Sequence, residues 1–132
     1  MRQGPVERTR APAALPPRAF VDLAGASGAV YRFERIDDLA KLPAIAGNFV
    51  YMRGAGKAAT VICVGAAESL FKAGDQLPEA KRTHNAEGLY IRRNVSRLTR
   101  GNEHADIVEK HHPVMILAAE FDRAIKTPQP SV

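Results

Sequence analysis

One stretch of the chain, residues 60–70, constrains the fold more than any other. An apolar run, Thr60-Val61-Ile62-Cys63-Val64, ends at Gly65, and a short polar turn then leads into a helix-like segment. Residues 48–52 form a second apolar run upstream. Short apolar runs bounded by turn residues are typical of strands. Because Gly54-Ala55-Gly56 lies between the two runs, we expect an antiparallel hairpin.

The remaining patterns predict an α/β (α+β) domain with a small mixed, mainly antiparallel sheet flanked by helices. Alternating apolar residues predict strands at residues 29–33 and 88–95. Helices are expected at residues 36–42, 69–73, 77–83 and 115–123. Another helix should begin after Asn102, which is a suitable N-cap, and end before Pro113.

The 132 residues suit one domain at residues 19–125, with tails at both ends. Prolines and arginines in residues 1–18 predict a disordered basic arm, and residues 126–132 predict a disordered tail. No apolar run approaches the roughly 18 residues that a membrane helix needs, and the N-terminus lacks a signal peptide pattern. The only cysteine, Cys63, excludes an intramolecular disulfide and suits a cytoplasmic location.

The formal net charge is +5, and positive residues are concentrated in the N-terminal arm and in residues 72–100. Clustered cations of this kind favour sequence-tolerant contacts with phosphates, although a solvated basic face is an equally good interpretation. The candidate nucleic-acid-binding residues are Lys72, Lys81, Arg82, Arg92, Arg93, Arg97 and Arg100.

The two apolar runs and the turn after Gly65 resemble the signature strands of GIY-YIG nucleases, over roughly residues 46–115. In that family two tyrosines, an arginine and a metal-binding glutamate build the site. The resemblance matches Tyr51 to the first tyrosine, Cys63 to the second and Ala73 to the arginine, with Lys72 beside it. Counting back from Pro113 places His104 at the glutamate position and Glu103 one residue away.

The resemblance therefore implies a degenerate active site. If activity survives, Tyr51 and Glu103 are the catalytic candidates, with Mg²⁺ or Mn²⁺ as the cofactor; otherwise no cofactor is expected. The groove-lining residues would be Tyr51, Cys63, Gly65 and His104. At about 100° per residue, Glu103 should point to solvent, while His104 should pack within the helix stripe.

Two weaker alternatives come from the same residues. His84, His104, His111, His112 and Cys63 could assemble a zinc site, but the metal-ligand spacings of known zinc motifs are missing. Packing of His104, and charge interactions of His111 and His112 at a helix C-terminus, are the favoured interpretation. Cys63 lies in an apolar run, which favours an inert core thiol over a nucleophile.

Three functions follow as hypotheses. The first is a non-catalytic nucleic-acid-binding module, with DNA as the expected partner. The second is a metal-dependent, structure-specific endonuclease. The third is a protein–protein interaction or regulatory module, in which the groove or the arm docks a protein partner. No membrane partner is expected.

Overall fold

The computed structural model describes residues 20–54 and 56–121. Six strands form one sheet in the order β1-β2-β5-β3-β4-β6. The last strand, β6, is parallel to β4, and all other neighbours are antiparallel. The elements are β1 Phe20–Ala24, β2 Val30–Ile36, β3 Gly47–Arg53, β4 Thr60–Ala67, α1 Leu77–His84, β5 Gly88–Arg93, α2 Arg97–His111 and β6 Met115–Leu117.

The predicted fold class, a small mixed and mainly antiparallel sheet flanked by helices, is confirmed. The predicted basic arm, residues 1–18, and the predicted C-terminal tail, residues 126–132, lie outside the described residues. Among the described residues, no helix has the length and apolar character required to cross a membrane.

The predicted hairpin is also confirmed, because β3 and β4 pair antiparallel over their whole lengths. Its register contains a bulge: Tyr51 pairs with Cys63, but Met52 pairs with Val61. Ile62 is therefore the additional residue, and a bulge interrupts the alternation of side chains between the two faces. As a result, Ile62 and Cys63 both pack into the same hydrophobic cluster.

The sheet is covered on both faces, and each face has its own hydrophobic cluster. Leu77 and Ala80 of α1 pack with Tyr51 on one face, which we call the α1 face. Ile107 of α2 packs with Val50 and other strand residues on the opposite face, which we call the α2 face. Consecutive residues of β3 alternate between the clusters, as the period of a strand requires.

The N-terminus of α2 is placed earlier than the sequence pattern predicted. The Ser96 side chain accepts a hydrogen bond from the Thr99 N–H, so Ser96 caps the helix and Asn102 lies inside it. A serine oxygen satisfies an N–H group that has no partner within the helix. At the other end, His112 adopts the left-handed conformation that commonly ends a helix.

Three other sequence predictions were wrong. Residues 36–42 and 69–73 form only single 3₁₀ turns, Leu39–Lys41 and Leu70–Lys72. Residues 115–117 form strand β6 instead of a helix, because they pair with the edge of β4. Strand β1 was not predicted at all. It pairs with β2, and Leu23 is its only buried side chain, so its sequence lacks the apolar pattern of a core strand.

Candidate functional site

A concavity on the α1 face lies at the C-terminal end of β4. It consists of two adjoining clefts of about 300 and 410 Å³, which we call the groove. Phe49, Tyr51, Ala66 and Ala67 form its floor. Residues of the segment 68–76 form one wall, and residues 116–120 form the other. Clefts of this size are typical of ligand sites.

Tyr51 lies in the floor of the groove, but its hydroxyl is already in use. The hydroxyl donates a 2.6 Å hydrogen bond to the carbonyl oxygen of Ala73, and the whole residue is buried. Burial raises the pKa of the Tyr51 phenol above its ordinary value. The phenol therefore stabilises the turn before α1 and presents neither a proton nor an oxyanion to a ligand.

Cys63 and Gly65 are packed inside the sheet beneath the groove. Cys63 is fully buried, and burial raises the pKa of its thiol to about 12, as expected for an inert core thiol. Gly65 lies against the ring of Phe49, which a Cβ atom would overlap. Of the four residues predicted to line a groove, Tyr51 lines this one and Cys63 and Gly65 do not.

His104, the fourth predicted groove residue, belongs to α2 on the opposite side of the sheet. It is buried and stacks against Phe121, with ring centroids 6.2 Å apart. The expectation of a packed histidine is therefore confirmed.

Glu103 does not point to solvent, and that prediction was wrong. Its side chain is 14% exposed and forms a 2.8 Å ion pair with Arg92. It also accepts a hydrogen bond from Asn94, whose amide donates to Asn48 as well. The reason is that β5 runs beside this edge of α2 and places Arg92 within reach. Tyr51 and Glu103 therefore lie on opposite faces of the sheet, and the fold does not bring them together.

The predicted phosphate-binding cations have diverse surroundings. Lys72 and Lys81 are exposed and form no ion pair with a described residue. Arg82 pairs with Glu79, Arg93 with Glu34 and Arg97 with Glu120, and all three arginines are more than half exposed. Arg92 is only 31% exposed beside Glu103 and stacks on Tyr31. Most of these positive charges thus have a carboxylate beside them.

Arg100 cannot contact a phosphate in this fold, so its prediction needs correction. The residue is 3% exposed. Its guanidinium donates to both carboxylate oxygens of Glu120 and to the carbonyl oxygens of Asn94 and Val95. All three guanidinium nitrogens donate to protein atoms. Through Glu120, Arg100 fixes the groove wall formed by residues 116–120 to α2.

Sequence patterns missed the charged rim of the groove, because its residues do not lie on one regular element. Glu68, Lys72 and Asp75 all line the groove, and none forms an ion pair with a described residue. Glu68 lies in the bend after β4 and precedes the extended Ser69, whereas Lys72 ends the 3₁₀ turn, so the course of this segment and not one helix face brings them to the groove. Ser69 and Gln76 add a hydroxyl and an amide to the same wall.

The donor set does not fit the divalent metal that the family resemblance implies. Within residues 20–54 and 56–121, no group of three or more His, Cys, Asp or Glu side chains is arranged to hold a metal ion. His84, His111 and His112 share a separate cleft of about 330 Å³, but Cys63 and His104 do not join them.

Comparisons with known proteins give no family for this chain. No protein-family profile, no curated protein and no solved structure matches it.

Proposed function

We propose that this chain is a non-catalytic binding module, on a scaffold resembling that of GIY-YIG nucleases, and that its groove docks a polypeptide. One observation carries the proposal: the groove is open, yet the residues at the positions of the family's chemistry serve the fold. Tyr51 is bonded to the Ala73 carbonyl, and Glu103 lies on the other face beside Arg92.

The charge of the rim favours a polypeptide over a phosphate backbone. Lys72 stands between two carboxylates, Glu68 and Asp75, within the same short segment. Both carboxylates line the same groove as Lys72, so a phosphate that enters the groove would be repelled by two negative charges. A polypeptide has N–H donors, carbonyl acceptors and side chains of both signs, so it can pair with such a mixed rim.

The floor of the groove supports the same conclusion. Phe49, Ala67 and Leu117 give it an apolar character, while the polar groups lie at the walls. A concave, partly apolar surface with a few polar groups at its border is typical of sites that bind side chains.

Photo-cross-linking from inside the groove tests the proposal. A benzophenone side chain replaces Gln76 in the full-length protein, and the matched control carries it at Leu98, which is 75% exposed on α2. We expect protein adducts from position 76 that survive nuclease treatment and are absent from position 98. The adducts should disappear when Ala67→Trp fills the groove, or, if that variant does not fold, with Ser69→Trp.

Adducts that consist of nucleic acid, or protein adducts that are unchanged by both groove-filling substitutions, would refute the proposal. So would the absence of any adduct specific to position 76.

Nucleic-acid binding is a second candidate function, favoured by where the net charge resides. Residues 20–54 and 56–121 contain 13 Lys and Arg against 12 Asp and Glu, so they contribute only +1 of the total +5. The remaining excess includes Arg2, Arg8, Arg10 and Arg18. We propose that these arginines and the exposed Lys72, Lys81, Arg82, Arg93 and Arg97 would make the phosphate contacts.

A salt series with duplex DNA tests this second function. Replacing the four N-terminal arginines by glutamine should reduce both the affinity and its dependence on salt, since each phosphate contact releases counterions. The control replaces Lys41 and Lys110, two exposed lysines outside the proposed set, by glutamine, and it should weaken binding less per charge removed. Binding that is absent at low salt would reject nucleic acid as the ligand. Equal weakening per charge removed in the control would reject the N-terminal arginines as its contacts.

A further inference from the structure

The edge of β4 is only partly covered by its neighbour β6. The last pair between the two strands is Gly65 with Leu117. On its other edge, β4 continues to pair with β3 for two more residues, Ala66 with Asn48 and Ala67 with Gly47. Ala66 and Ala67 are thus in strand conformation with one edge paired and the other open to the groove.

An open strand edge has a specific chemical requirement. Alternate residues of a strand direct their N–H and C=O groups to the same edge. Ala67 faces Gly47 of β3, so Ala66 is the residue that faces the groove. The pair of Gly65 with Leu117 uses the Ala66 N–H, which leaves the Ala66 C=O open. Backbone polar groups need hydrogen-bond partners, which water or another chain must supply. Among the described residues no strand pairs with this part of the edge.

Within residues 20–54 and 56–121 no segment fills the gap, because the described residues after β6 turn away. A helical turn begins at Ala119, and Glu120 is held on α2 by Arg97 and Arg100. These ion pairs keep Ala119 and Glu120 apart from Ala66 and Ala67. The space between the two pairs of residues is the cleft of about 410 Å³. Neighbouring strands of a sheet lie about 4.8 Å apart, so a strand added beside Ala66 and Ala67 would occupy this cleft.

We propose that the groove recognises an extended polypeptide, which adds as a short strand to the open edge of β4 at Ala66 and Ala67. The inference rests on the proposed docking function and names its mode. Main-chain hydrogen bonds to β4 would hold the peptide, and alternate side chains would contact the apolar floor at Phe49. Strand addition of this kind gives affinity through the backbone and specificity through the side-chain positions.

The rim sets the preferred side chains of the partner. Lys72 accommodates a carboxylate, and Glu68 or Asp75 accommodates a lysine or arginine, so a peptide with opposite charges beside an apolar residue fits best. A peptide that is uniformly acidic or uniformly basic meets at least one like charge.

Selection from a displayed library of random dodecapeptides, followed by a backbone N-methyl scan of the best binder, tests the inference. Peptides should be enriched on the full-length protein and not on Ala67→Trp or Ser69→Trp. Methylation of alternate backbone nitrogens should weaken binding about tenfold, the size expected for one lost backbone hydrogen bond. Methylation at the intervening nitrogens should leave the affinity nearly unchanged.

Equal sensitivity at consecutive positions, or a period of three to four residues, would overturn strand addition, and so would a library that yields no groove-dependent binder. These outcomes are distinguishable from failure of the docking function itself. Groove-dependent protein adducts at position 76 without the alternating N-methyl pattern would leave docking in place and reject only the extended mode.

Discussion

Arg100 and Glu120 form a buried two-point ion pair that joins α2 to the segment after β6. The Nη2 atom of Arg100 lies 2.9 Å from Oε1 of Glu120, and its Nε lies 3.0 Å from Oε2. Each side chain is only 4% exposed. Because Glu120 forms part of the groove wall, this pair connects the stability of the fold to the shape of the candidate site.

Glu120→Gln should destabilise the protein by about 3–5 kcal/mol, since it leaves the buried Arg100 guanidinium without its counter-charge. Urea unfolding followed by circular dichroism measures the change. Glu34→Gln is the matched control, because Glu34 pairs with Arg93 at the surface and should cost less than about 1 kcal/mol. Equal effects of the two substitutions would contradict the buried character of the pair.

Acid should remove the contribution of Glu120 to stability. Burial alone would raise the pKa of this carboxyl, but the hydrogen bonds and charge of Arg100, with the charge of Arg97, hold it below its usual value of 4.5. The unfolded state then binds the proton more readily, so the stabilisation is complete above pH 4.5 and declines as the pH falls through the lower folded-state pKa.

The difference in unfolding free energy between wild type and Glu120→Gln, measured against pH, should therefore be constant near neutrality and shrink in acid. A difference that grows as the pH falls would have the wrong sign for this assignment.

Gly65→Ala should destabilise the fold by about 1–3 kcal/mol, because the added methyl group must displace the Phe49 ring in a filled core. Gly88→Ala is the control, since a Cβ there meets its nearest neighbour at 3.5 Å, an ordinary contact. Thermal unfolding of both variants distinguishes them. If Gly65→Ala is as stable as Gly88→Ala, the glycine is not required by packing.

The Cys63 thiol should be unreactive in the folded protein. Its pKa of about 12 against an ordinary 9.0 lowers the thiolate fraction about a thousandfold near pH 8, and burial reduces access further. Alkylation by iodoacetamide, followed by mass spectrometry, should be slow in the native state and fast in concentrated guanidinium. Similar rates in both conditions would show that Cys63 is exposed.

Local patterns were sufficient for the parts of the fold that depend on short-range chemistry. The hairpin of β3 and β4 has two apolar runs and glycines between them, and both strands were predicted. Residues 115–117 were assigned to a helix because the short apolar run at residues 114–119 has no distinguishable period. Only the tertiary pairing with Cys63, Val64 and Gly65 makes them a strand.

The candidate site was less predictable, because it depends on pairs that are distant in sequence. Arg100 and Glu120 are 20 residues apart, and neither residue alone indicates that the other is near. The basic stretch was visible in the sequence, but its neutralisation by Glu34 and Glu103 required the fold. The side chains of the groove residues Ala66 and Ala67 carry no chemical signal in the sequence, because the proposed contact uses their backbone edge.

Amide hydrogen exchange of the full-length protein, with and without a peptide selected from a displayed library of random dodecapeptides, tests whether the groove docks a polypeptide. We predict that binding protects amides of residues 66–67 and 68–76, while residues 102–109 on the outer part of α2 serve as the internal reference and stay unchanged. Protection confined to a region outside the groove, or no protection at saturating peptide, would show that the groove is not the docking site.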